Sequence, residues 1–92
     1  MSALPVAQEE RVRALIVATL PPGADPDGVI FGPGGQLDSL GLVAYLADLE
    51  YRLGEEFGGA FLLASEQAMS RSRSPFRDVD SLTAHVAELL KR

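Results

Sequence analysis

Ninety-two residues, 47% apolar and 23% charged, describe one small domain over 1–92 with a single core, not a disordered chain and not an enclosed multi-walled active site. The lack of cysteine excludes disulfides, thiolate chemistry and zinc–thiolate clusters, and one histidine cannot build a histidine-rich metal site. A net charge of −5 argues against a nucleic-acid partner and steers the chain toward basic protein surfaces.

No apolar run approaches a membrane span. The opening "MSALPVAQEERVRAL" reaches charge too early for a signal peptide, so the expected location is the cytoplasm. A first helix is predicted over 5–20. Pro5 suits its first turn, Glu9 and Glu10 lie near its positive end, and Val12, Leu15, Ile16 and Thr19 form one stripe. Pro21-Pro22-Gly23 stops it. The long loop 21–37, "PPGADPDGVIFGPGGQL", is rich in Gly, Pro and Asp, and loops of that length are often functional. Val29, Ile30 and Phe31 are expected to pin its middle to the core.

The second helix is predicted to begin at Asp38 or Ser39, to run to about Leu53 and to end at Gly54. Val43, Leu46 or Ala47, Leu49 or Glu50, and Leu53 are expected to make its buried face. Beyond it, Phe57, Phe61, Leu62 and Leu63 read as anchors and 64–71 as a short helix. "SRSRSP" forms the exit, closed by Pro75. The last helix is expected to open at Asp80-Ser81, to bury Leu82, Val86 and Leu89 or Leu90, and to carry Lys91 and Arg92 at its negative end. The fold class is therefore all-α, a helical bundle of three main helices and a short third one.

The tripeptide Asp-Ser-Leu occurs twice, at 38–40 and at 80–82. An N-cap, worth about 1 kcal/mol, fully accounts for the second copy. The first copy follows the long loop, which places Ser39 exposed at a helix start, where free N–H groups and the dipole favour a phosphate. Gly34, Gly35 and Gly41 leave room around it. These features suit a carrier site: a modifiable hydroxyl on a rigid mount, with no catalytic apparatus beside it.

The run "GGQLDSLGLVAYLADLEYRLGEEFG" resembles the second-helix region of acyl carrier proteins, and "FRDVDSLTAHVAELL" resembles their closing segment. The order of elements over nearly the whole chain is similar as well. The resemblance implies that Ser39 carries 4′-phosphopantetheine, delivered from coenzyme A by a phosphopantetheinyl transferase. An acyl or aminoacyl group would ride as a thioester on its terminal thiol, the cofactor supplying the sulfur that the chain lacks. It implies that Asp38 caps the helix and helps the transferase engage, and that Leu40 packs at the helix root. The further partners implied are a loading ligase or transferase and a downstream synthase, with the carrier a monomer and not itself an enzyme.

The chain departs from fatty-acid-synthesis members, which usually carry acids directly after the motif. Here Gly41, Leu42, Ala44 and Tyr45 stand there, and the acids come later, at Asp48, Glu50, Glu55 and Glu56. Leu42, Tyr45, Asp48 and Glu50 are accordingly expected to meet partners of a dedicated pathway. A sequestered acyl chain would lie between the second helix and the short third one, lined by Val43, Leu46 and Phe61. Arg71, Arg73 and Arg77 read as a solvated loop or as selectors of an acidic cargo or partner. His85 is assigned no chemistry. The rival readings are a D-alanyl or peptidyl carrier, and a helical interaction module without an arm. A GDS-type serine hydrolase is disfavoured by Leu37 at its glycine position and by the short chain.

Overall fold

A computed structural model describes residues 6–59, 61–63 and 75–90. Among these residues the protein is all-helical: α1 (Val6–Thr19), α2 (Ser39–Phe57) and α3 (Val79–Leu90). The short helix expected over 64–71 lies outside the described residues, as do Pro5, Arg71, Arg73, Lys91 and Arg92. No helix among the described residues is long and apolar enough to cross a membrane.

The first helix follows its stripe. Val12 and Ile16 are wholly buried, Thr19 is nearly so, and Leu15 packs at the edge of the core. In the last turn the Thr19 hydroxyl donates to the Leu15 carbonyl at 2.7 Å, and the Leu20 N–H turns back to Val17 at 3.2 Å. That tightening ends the helix before the proline pair. The loop beyond is pinned where the apolar triplet predicts. Ile30 is buried, and the Ile30 and Phe31 amides both donate to the Arg77 carbonyl, at 2.6 and 3.3 Å. Gln36 clasps the loop from within, accepting from the Asp25 N–H at 2.7 Å and donating to the Asp25 carbonyl at 2.9 Å.

In α2 the buried face differs from the expected one. Leu42, Tyr45, Leu46, Leu49 and Leu53 face the core, while Val43 is 55% exposed. Leu42 and Tyr45 are therefore core residues and not partner contacts. Tyr45 tolerates burial because its hydroxyl donates to the Ile16 carbonyl of α1 at 2.8 Å, which satisfies the one polar atom it brings inside. Burial also pushes its phenol above the ordinary tyrosine range. The expected lining set Val43, Leu46 and Phe61 falls apart in the same way, into an exposed, a buried and a half-buried residue. Leu40, expected at the helix root, is 82% exposed because the second position of α2 points away from α1 and α3.

The helix also continues through Gly54. It ends at Gly58, whose φ of 79° suits glycine and whose N–H caps the Gly54 carbonyl at 2.9 Å. Gly54 serves the returning chain instead: a Cβ there would sit 3.0 Å from the Gly59 carbonyl oxygen.

Beyond α2, Leu63 is fully buried and Phe57 and Phe61 pack on the core, but Leu62, expected as a fourth anchor, is 67% exposed. Helix α3 starts at Val79, one residue before the expected Asp80, and buries Val79, Leu82, Thr83 and Val86, with Phe76 wholly buried just ahead of it. Helix α1 packs on both α2 and α3. The core joins all three helices with Ile30, Leu63 and Phe76.

Candidate functional site

The two Asp-Ser-Leu copies stand at different phases of their helices. In the first, Asp38 is the N-cap, with extended backbone (φ −84°, ψ −178°), and Ser39 is the first helical residue. The Asp38 carboxylate accepts the Gly41 N–H at 2.7 Å, and its carbonyl accepts the Leu42 N–H at 2.8 Å. The amides of Ser39 and Leu40 are left at the positive end of the helix with no intrahelical acceptor. Gly41 is fitted to this cap, since a Cβ would press to 3.1 Å from the Asp38 carboxylate oxygen. Ser39 is exposed, and none of the described side chains takes up its hydroxyl.

In the second copy the expectation of a cap at Asp80-Ser81 is corrected. Asp78 caps α3, accepting the Ser81 N–H on its carboxylate at 2.8 Å and the Leu82 N–H on its carbonyl at 3.0 Å. The Ser81 hydroxyl also bonds that carboxylate. The amide and the hydroxyl together hold Asp78 below the usual carboxylate range, with a smaller contribution from the adjacent Arg77 charge. Ser81 is half-buried, and Asp80 pairs with Arg13 of α1. One serine is thus presented to solvent and the other is consumed by its own helix start.

The acids expected to meet partners are engaged within the fold. Asp48 is exposed and pairs with Arg52 one turn on, at 3.3 Å. Glu50 is half-buried and accepts the Leu63 N–H at 2.7 Å. Glu56, not among the expected partner contacts, pairs with Arg11, and Arg11 also lies 5.2 Å over the Phe57 ring. Arg77 is exposed, and its carbonyl holds the long loop. His85 packs edge-on to Phe76, ring centroids 5.9 Å apart, with Nε2 at 3.4 Å from the Leu63 carbonyl.

Beside Ser39 the exposed apolar side chains are Leu40 and Val43, which sequence reasoning assigned to the interior. The available signal was the charge-free run from Ser39 to Ala47, in which an outward face has to be apolar. One oxygen of the Asp38 carboxylate is turned to the Gly41 amide. Among the described residues no group of acids or histidines is arranged to hold a metal ion. The chemistry this arrangement offers is an exposed primary hydroxyl fixed at the positive end of a 19-residue helix. No family model, curated protein or solved structure matches this chain.

Proposed function

We propose that this domain is an acyl-carrier-type protein, modified at Ser39 with 4′-phosphopantetheine and presenting an acyl or aminoacyl thioester to partner enzymes. The observation that supports this reading is the contrast between the two serines. Ser39 stands exposed at the first position of α2, whereas Ser81 has both its amide and its hydroxyl taken by Asp78.

The residues present fit the group. A phosphodiester carries one negative charge, and the amides of Ser39 and Leu40 at a helix N-terminus favour such a charge by about 0.3–1 kcal/mol. The negative Asp38 beside it opposes this in part, but its carboxylate is already directed at the Gly41 N–H. When bound, the group supplies the thiol on which cargo is held. The work of the chain is positional. Ser39 Oγ is the attachment atom, Asp38 sets the turn that presents it, and the apolar face of α2 below ties that turn to α1. Leu40 and Val43, not Leu42 and Tyr45, are the apolar groups that an enzyme reaching Ser39 has to cover. The partners are a phosphopantetheinyl transferase, a loading ligase or transferase and a downstream synthase, acting on a monomeric cytoplasmic carrier. Its short helix would fall within 64–71.

The test is intact mass before and after incubation with coenzyme A and a broad-specificity phosphopantetheinyl transferase. One phosphopantetheine addition is expected in the wild type and in Ser81→Ala, and none in Ser39→Ala. A folded wild-type chain that gains no mass would overturn the reading and leave a helical interaction module in its place.

A further inference from the structure

Helices α2 and α3 each pack on α1, yet nowhere do they come within 8 Å of each other, Cα to Cα. Among the described residues, Leu63 of the run Phe61-Leu62-Leu63 meets both helices. The Leu63 side chain is wholly buried in the core. Its N–H donates to the Glu50 carboxylate of α2 at 2.7 Å, and its carbonyl lies 3.4 Å from His85 Nε2 of α3. The hold on its neighbours is weaker: Phe61 is half-buried and Leu62 is 67% exposed.

Glu50 marks this as a built feature. It lies on α2 beside buried Leu49 and one turn before buried Leu53, and it is itself half-buried. A carboxylate drawn toward the interior is costly unless it accepts a hydrogen bond, and the Leu63 amide provides one. His85 is likewise held in place, its ring edge-on to buried Phe76. One residue is thus gripped by its side chain and by both of its backbone polar groups, from two helices whose backbones do not come within 8 Å of each other.

We infer that residues 61–63 form a strap latched across the gap between α2 and α3, with Glu50 and His85 as its catches. Release of Leu63 from them opens the core while the helices stay folded. Among the described residues the strap is held by the buried Leu63 side chain, by half-buried Phe61 and by two polar contacts, whereas each helix is held by a continuous buried face, so the strap offers the easier local opening. This inference stands whether or not Ser39 carries an arm.

Amide hydrogen exchange, followed by NMR on the full unmodified chain, tests it. In the wild type, Leu63 should be protected but should exchange faster than Ile16 and Leu46 in the helices. Glu50→Ala should accelerate Leu63 exchange about ten- to a hundredfold, as expected for loss of a hydrogen bond to a charged acceptor. Glu50→Gln, which keeps an acceptor oxygen, should restore most of the protection. His85→Phe, which keeps the ring against Phe76 and removes Nε2, should accelerate Leu63 about two- to tenfold, because a 3.4 Å contact is weak. In all three variants Ile16 and Leu46 should change by less than about twofold. Equal acceleration of strap and helix amides would make Glu50 a global stabiliser and overturn the latch. So would a wild-type Leu63 amide with no protection. Should Glu50→Ala fail to fold, Glu50→Gln and His85→Phe still decide between the two outcomes.

Discussion

Asp78 carries more of the start of α3 than either residue of the motif beside it. Its carboxylate takes the Ser81 amide and hydroxyl, and those bonds lower its pKa in the folded chain. A carboxylate whose folded pKa lies below its unfolded one stabilises the fold above the unfolded value, near 4. That contribution is lost as pH falls through the folded value. Asp78→Asn keeps a capping oxygen and should leave stability at pH 7 within about 0.5 kcal/mol, yet flatten the loss of stability as pH falls below about 4. Asp78→Ala should cost about 1 kcal/mol already at neutral pH. Urea denaturation across that range checks both, and an Asn variant with the wild-type acid limb would clear Asp78 of the effect. The stretch "RDVDSL" contains two aspartates, and the repeated tripeptide draws attention to the wrong one. The spacing that matters is from an aspartate to the residue three positions on: Asp38 to Gly41 and Asp78 to Ser81. The echo is one of letters, at different phases of two helices.

In the helices, legibility followed the distribution of charge. In α1, Glu9, Glu10, Arg11 and Arg13 flank Val12 and leave one possible inward stripe, so its phase could be read. From Ser39 to Ala47, α2 has no charge, and an apolar pattern on all sides does not select a phase. With Val43 and Leu46 given the buried face, Tyr45 reads as a surface residue, and burying it requires a partner for its hydroxyl. That partner, the Ile16 carbonyl, belongs to another helix and could not be seen in the sequence. Gly54 misled for a similar reason: it is small because the chain beyond Gly58 folds back over it, a contact that exists only once α2 has formed. The observed phase makes a direct prediction. Leu42→Ala, at a fully buried position, should cost about 2–5 kcal/mol, whereas Val43→Ala should cost under about 0.5 kcal/mol beyond helix propensity. Chemical denaturation of the two variants measures the difference, and equal costs would return Val43 to the core.

Across the whole molecule, α1 is the common support, since α2 and α3 both pack on it. Its links to them are of two kinds. Arg11 pairs with Glu56 of α2 and Arg13 with Asp80 of α3, but these pairs are solvent-exposed and worth about 0–1 kcal/mol each. Val12 and Ile16 are wholly buried, and removing such a side chain down to alanine costs about 2–5 kcal/mol through lost burial and the cavity left behind. A domain of this size has a total stability of about 5–15 kcal/mol, so one apolar contact on α1 outweighs both ion pairs together. Ile16→Ala should therefore remove a large part of the stability, while Arg13→Ala removes less than about 1 kcal/mol. Because α1 packs on both neighbours and Ile16 lies in the core they share, α2 and α3 should go together. Helical circular dichroism and the near-ultraviolet signal of buried Tyr45 should fall at the same, lower midpoint in Ile16→Ala. If the Tyr45 signal is lost while most of the helix signal survives, α1 is not the shared support, and the bundle is held through the strap and the long loop.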